Sequence, residues 1–158
     1  MKIFGKSLAD YASFARGFLI LILVVGLSRL SLSLLGKPDS TVKFFSITVV
    51  YLLGTIYYSI KVHTRGFGSY KQLLPVLALP VILGNCIVIG GIILAIETHK
   101  HNIFSAPEFS PGRMDGKNWG HVGGHALAMI ILSIILWAIG CLIMSITKKV
   151  SPGVKQQS

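Results

Sequence analysis

Four stretches of this chain are apolar for long enough to cross a bilayer, and they leave little freedom in what it can fold into. A spanning helix needs roughly 20 predominantly apolar residues. Phe14–Leu35, Phe44–Ile60, Leu73–Ile96 and Val122–Ile146 approach or exceed that length. Together they occupy more than half of the 158 residues, so no soluble domain of useful size remains. Only 13% of the residues are charged, against about 25% in an ordinary soluble domain. Mean hydropathy is +0.73. In lipid every backbone N–H and C=O has to be bonded within the protein, so runs of this kind become helices. The expected fold is an all-α integral membrane protein, a single domain with spans near 14–35, 44–60, 73–96 and 122–146.

The connections set the expected architecture. Gly36-Lys-Pro-Asp-Ser40 reads as a turn in which Gly36 ends the first helix and Ser40 caps the second. His63 to Ser69 is a second short link. Short links favour antiparallel neighbours, hence an up-down four-helix bundle. The third link, residues 98–120, is longer than usual for helix pairs. Phe104, Phe109, Met114 and Trp119 offer it apolar anchors, and Pro107, Pro111 and Gly112 offer it turns. A compact extracytoplasmic cap between helices 3 and 4 is expected there. Before the first span, Lys2 and Lys6 with Ile3, Phe4 and Leu8 suggest a short interfacial helix.

Charge orients the spans. With the N-terminus in the cytoplasm, that side carries nine Lys and Arg and the other side six, which favours N-in, C-in. The membrane would be the cytoplasmic one in a bacterium. The net charge of +10 does not point to nucleic acid. The basic residues are scattered around span ends, where they meet lipid headgroups, and form no block or aromatic-interleaved face. Cys86 and Cys141 would lie at depths differing by roughly 12 Å, too far for a disulfide. Free thiols packed between helices are expected.

The chemistry-bearing residues gather in one place. Four of five histidines and three of five carboxylates fall between Glu97 and His125. His121 and His125 are spaced i, i+4, and share a helical face if Asn118 caps span four. Glu97 and His101 have the same spacing if helix 3 continues past the membrane. The two pairs, with His99, could then meet at the outer mouth. Such a set suits Zn²⁺ or a first-row redox metal, with haem a weaker alternative. Glu108, Arg113 and Asp115 would be auxiliary polar groups. The bland reading is a hydrated polar cap without metal.

Three features lie within the spans. Gly120, Gly124 and Ala128 form small-xxx-small steps that let helices approach closely. Pro75, Pro80 and Asn85 make span three irregular, with a buried amide that bonds a neighbour or lines a path. Tyr51, Thr55 and Tyr58 are its expected neighbours. Arg29 lies inside span one, either reaching out to headgroups or serving a site. Neither CxxC nor CxxCH occurs. The further histidine boxes of diiron membrane hydroxylases are also absent, as are the arginine-proline and serine-glycine-histidine boxes of lipid phosphatases.

Three functions fit these residues. The first is a small membrane subunit or scaffold, bound to other subunits or to copies of itself, whose outer loop holds a partner or prosthetic group. The second is a metal- or haem-binding membrane enzyme or redox module. The third is a small transporter or channel using Arg29 and Asn85. Whether the chain is an enzyme stays open.

Overall fold

The structure, a computed structural model, describes residues 2–106 and 115–151. It is mostly helical. A two-stranded hairpin, β1 (Lys2–Ile3) and β2 (Lys6–Ser7), precedes α1 (Leu8–Leu34). A single helical turn, α2 (Asp39–Val42), leads into α3 (Ile47–Thr64), followed by α4 (Tyr70–Thr98) and α5 (Trp119–Val150). Among the described residues, four helical stretches are long and apolar enough to cross a membrane, the second combining α2 and α3.

The helix ends follow local chemistry rather than the limits of the apolar runs. The interfacial helix expected over Lys2–Leu8 is instead a tight hairpin. Phe4 and Gly5 both take positive φ, 49° and 86°, which is the backbone of a two-residue hairpin turn. Ser7 then starts α1 with a capping box. Asp10 Oδ2 accepts from Ser7 N at 2.7 Å, and Ser7 Oγ accepts from Asp10 N at 3.1 Å. At the other end Gly36, with φ 72°, closes α1 as expected. Gly36 N donates to Ser33 O and Lys37 N to Leu32 O, the Schellman pattern. The cap of the second long helix is Ser46, whose side chain accepts from Val49 N. Ser40, expected in that role, lies within α2.

Helix α4 sits at the centre of the packing, against α1, α3 and α5, and α3 also touches α1 and α5. Hydrogen bonds tie the ends together. At one end His63 Nε2–H donates to Ser151 O at 2.9 Å, Trp137 Nε1 to Tyr70 O at 2.7 Å and Gln72 Nε2 to Phe4 O at 2.9 Å. At the other end Ile103 N donates to Ser33 Oγ at 2.8 Å and Lys117 Nζ to His99 O at 3.5 Å. Tyr11, Tyr58, Leu73 and Met144 form a core near the hairpin. Ile22, Tyr51, Val81, Ile92 and Phe104 belong to a second core farther along.

The link after α4 folds back into the bundle. Residues 102–106 are all buried. Asn102 organises them: its Nδ2 donates to Gly91 O at 2.6 Å, and its Oδ1 accepts from Phe104 N at 3.0 Å. Phe104 lies against Gly91, where even a Cβ would come within 2.6 Å of its ring. Phe104 is therefore the anchor expected of a cap. Trp119 is not, being 61% exposed at the start of α5. Phe109 and Met114 lie outside the described residues. Both cysteines are free thiols; Cys86 is exposed rather than packed between helices, and Cys141 is half-buried.

Candidate functional site

Asn85 stands midway along α4 with 5% of its surface exposed. A primary amide in apolar surroundings needs partners for both ends. Its Nδ2 donates to Val81 O, one turn back, at 2.9 Å. That carbonyl has only lone pairs to offer, so the amide nitrogen must face it and Oδ1 must face away. Oδ1 meets His125 Nδ1 at 2.9 Å, and the imidazole is therefore the donor. The Tyr51 hydroxyl donates to the same Val81 carbonyl at 3.3 Å. Gly84 makes room for it, since a Cβ there would collide with the Tyr51 hydroxyl. One polar knot thus joins α3, α4 and α5.

Beside the knot is a chamber of about 240 Å³. Its polar lining is Arg29 from α1, Thr48 and Tyr51 from α3, Asn85 from α4 and His125 from α5. Phe104 of the folded-back link forms another wall, and the Arg29 guanidinium carbon lies 5.5 Å from its ring centroid. Val88, Ala128 and Leu132 are among the apolar walls. The chamber therefore combines a cation, two hydroxyls, an amide and an imidazole with apolar surface. That combination suits a molecule with a polar head and a small apolar body.

The other sequence-selected residues are distributed differently from expectation. Asn118 caps α5 as expected, its side chain accepting from His121 N at 2.8 Å. His121 and His125 share a face, with ring centroids 5.0 Å apart. His121 is buried, and its Nδ1–H donates to Gly116 O at 3.1 Å. Glu97 and His101 do not form the corresponding helical pair. Helix α4 ends at Thr98, and His99 turns the chain with φ 55°, so His101 lies off the helix. Its Nδ1–H donates to Ser105 O at 3.3 Å, and its Nε2 lies 3.9 Å from Asp115 Oδ1. Glu97 and His99 are exposed. Among the described residues no group of three or more His, Cys, Asp or Glu is arranged to hold a metal ion. Glu108 and Arg113 lie outside the described residues.

The small-residue steps on α5 also act differently from expectation. Among the described residues, a Cβ at Gly124 would meet nothing within 4 Å, and one at Gly120 only the adjacent Asn118 side chain. Among the described residues, then, no helix approaches there. The reason is rotational: α5 turns His121, His125, Ala128 and Leu132 inward, so Gly120 and Gly124 fall outside that stripe. The close approach occurs lower down, at Gly140, where a Cβ would lie 2.8 Å from Ser59 Oγ. Ala128 is instead a chamber wall.

Sequence reasoning joined Arg29 and Asn85 as a possible path but placed His125 apart from them, with the outer histidines. Thr48 and Phe104 were missed as lining. The i, i+3 spacing of Thr48 and Tyr51 is the one available signal for the first. Comparison with protein-family models, curated proteins and solved structures finds no match to this chain.

Proposed function

We propose that this chain is an integral membrane protein whose four long helices cross the bilayer up and down, N-in and C-in, and that it holds a small polar-headed ligand in the chamber between them. On this reading it serves as a ligand-binding subunit or scaffold within a larger membrane assembly. The observation that carries it is the convergence of Arg29, Asn85 and His125, from three different helices, on one chamber of about 240 Å³. Polar groups of this kind inside an apolar bundle are costly and mark sites. Exposed Leu27, Ile130, Leu142 and Ile146 supply surface of the kind that lipid covers. The chamber is smaller than the roughly 300–1,000 Å³ of drug-sized sites, so the ligand is small. Arg29 favours a head rich in acceptor oxygens or carrying negative charge.

Native mass spectrometry of the gently solubilised chain tests this. The wild-type protein should carry a small non-protein molecule. Ala128→Phe, which fills the chamber from one wall, should lose it while retaining the wild-type melting temperature to within a few degrees. A wild-type chain with no bound molecule, or the same molecule on Ala128→Phe, would refute the reading.

A further inference from the structure

We infer that His121 and His125 form a two-nitrogen site for a first-row divalent transition ion at the head of α5. The spacing places both rings on one face, one helical turn apart. Hydrogen bonding selects the nitrogen that each presents. The Gly116 carbonyl can only accept, so His121 carries its proton on Nδ1. His125 does too, because Val81 O turns the Asn85 amide so that Oδ1 faces the ring. In the neutral imidazole the lone pair is then on Nε2 in both rings. Among the described residues neither Nε2 has a hydrogen-bond partner. Ligating histidines are characteristically held in this way, with the other ring N–H donated to an oxygen.

The distance also fits. Metal–nitrogen bonds are about 2.0–2.1 Å, so two imidazoles meeting a tetrahedral ion have ring centroids about 5.2 Å apart. The observed separation is 5.0 Å. The centroid separation therefore matches that of a shared ion, which both rings reach once their Nε2 atoms turn toward one point. Imidazole nitrogen suits Zn²⁺, Ni²⁺ and Cu²⁺ rather than oxygen-seeking Ca²⁺ or Mg²⁺. With two protein ligands, the remaining positions belong to water or to a small exogenous ligand. The bound ion is therefore exchangeable, unlike the ion of a closed four-ligand structural site. His125 is also a chamber wall, so the ion lies beside the chamber, but the site does not depend on the chamber being filled.

The test uses the full chain in detergent, stripped with a chelator and titrated with Zn²⁺ alone. One ion per chain is expected. His121→Gln and His125→Gln should each weaken binding at least tenfold. Asn85→Leu, which removes the acceptor from His125 Nδ1–H, should weaken it by about tenfold. His63→Gln, His99→Gln and His101→Gln should leave it unchanged. Cu²⁺ added to the wild type should give an electron paramagnetic resonance spectrum with two coupled nitrogens, reduced to one in either α5 histidine variant. Wild-type affinity in His121→Gln or His125→Gln, or loss of the ion through His99 and His101 alone, would overturn the site.

Acylation of the wild-type histidines by diethylpyrocarbonate, read by peptide mass spectrometry, tests the site without any variant. Zn²⁺ should slow reaction at His121 and His125 at least fivefold and leave His63 unaffected; no protection would refute the inference. Ala128→Phe separates this site from the chamber ligand, since it should expel the ligand and keep the ion. If Ala128→Phe binds no ion, the site is not independent of the chamber, and the inference fails.

Discussion

Asn85 and the glycines show what single residues contribute. An amide in an apolar run announces itself in the sequence, because it must be satisfied somewhere. Its partner does not: His125 lies 40 positions away, and the pairing depends on how α5 is rotated about its own axis. The glycines make the same point with opposite signs. Gly84→Ala should destabilise the bundle by about 1–3 kcal/mol, since its Cβ collides with the Tyr51 hydroxyl and the core has to shift. Gly124→Ala meets nothing within 4 Å among the described residues and should be neutral or stabilise by up to about 1 kcal/mol through helix propensity alone. Unfolding in detergent, read by circular dichroism, checks both; equal effects would mean that the rotation of α5 is wrong. The sequence pattern alone favoured Gly124 as the packing position, because small-xxx-small spacing says nothing about which way the stripe faces.

At the level of elements, the existence of the long helices was legible and their ends were only partly so. Hydropathy shows which residues lipid tolerates, whereas a helix continues until its backbone is capped or turned. Hence α1 begins at Leu8 and α5 runs to Val150, beyond the apolar runs at Phe14 and Ile146. Asn118 was readable as a cap because an N-cap residue directly precedes a periodic segment. Ser46 was obscured by the aromatic pair before it and by the better-looking turn at Gly36 to Ser40. Asp10→Ala should lower stability by opening the capping box. His99→Gly should raise it by roughly 1 kcal/mol, because His99 ends α4 at φ 55°, where a side chain carries a steric cost. Thermal melts of the two variants should therefore move in opposite directions.

For the molecule as a whole, the sequence supplied the number of long helices; the orientation drawn from Lys and Arg is a proposal. The sequence did not supply neighbour relations, which arise from side-chain fit around each axis. The proposed topology has a direct check. In a background with Cys86 and Cys141 replaced, cysteines placed singly at Arg65 and Lys37, both exposed, should react with an impermeant maleimide from opposite sides of sealed vesicles. Reaction from the same side would exclude an up-down arrangement. The grouping of Glu97, His99 and His101 with His121 and His125 looked natural along the chain. It dissolved in three dimensions because one left-handed residue, His99, ended the helix that was to carry half the set.

The chamber draws its walls from every long helix and from the folded-back link, whereas α1 and α5 are not among the helix pairs in extensive contact. An occupant touching both Arg29 and His125 would therefore act as a cross-brace between α1 and α5. It would resist sideways splaying of the bundle, a mode that the chain's own helix interfaces leave comparatively soft. The brace also has a place in time. Until the ribosome has released α5 the chamber lacks a wall, so an occupant is held only once α5 is in place.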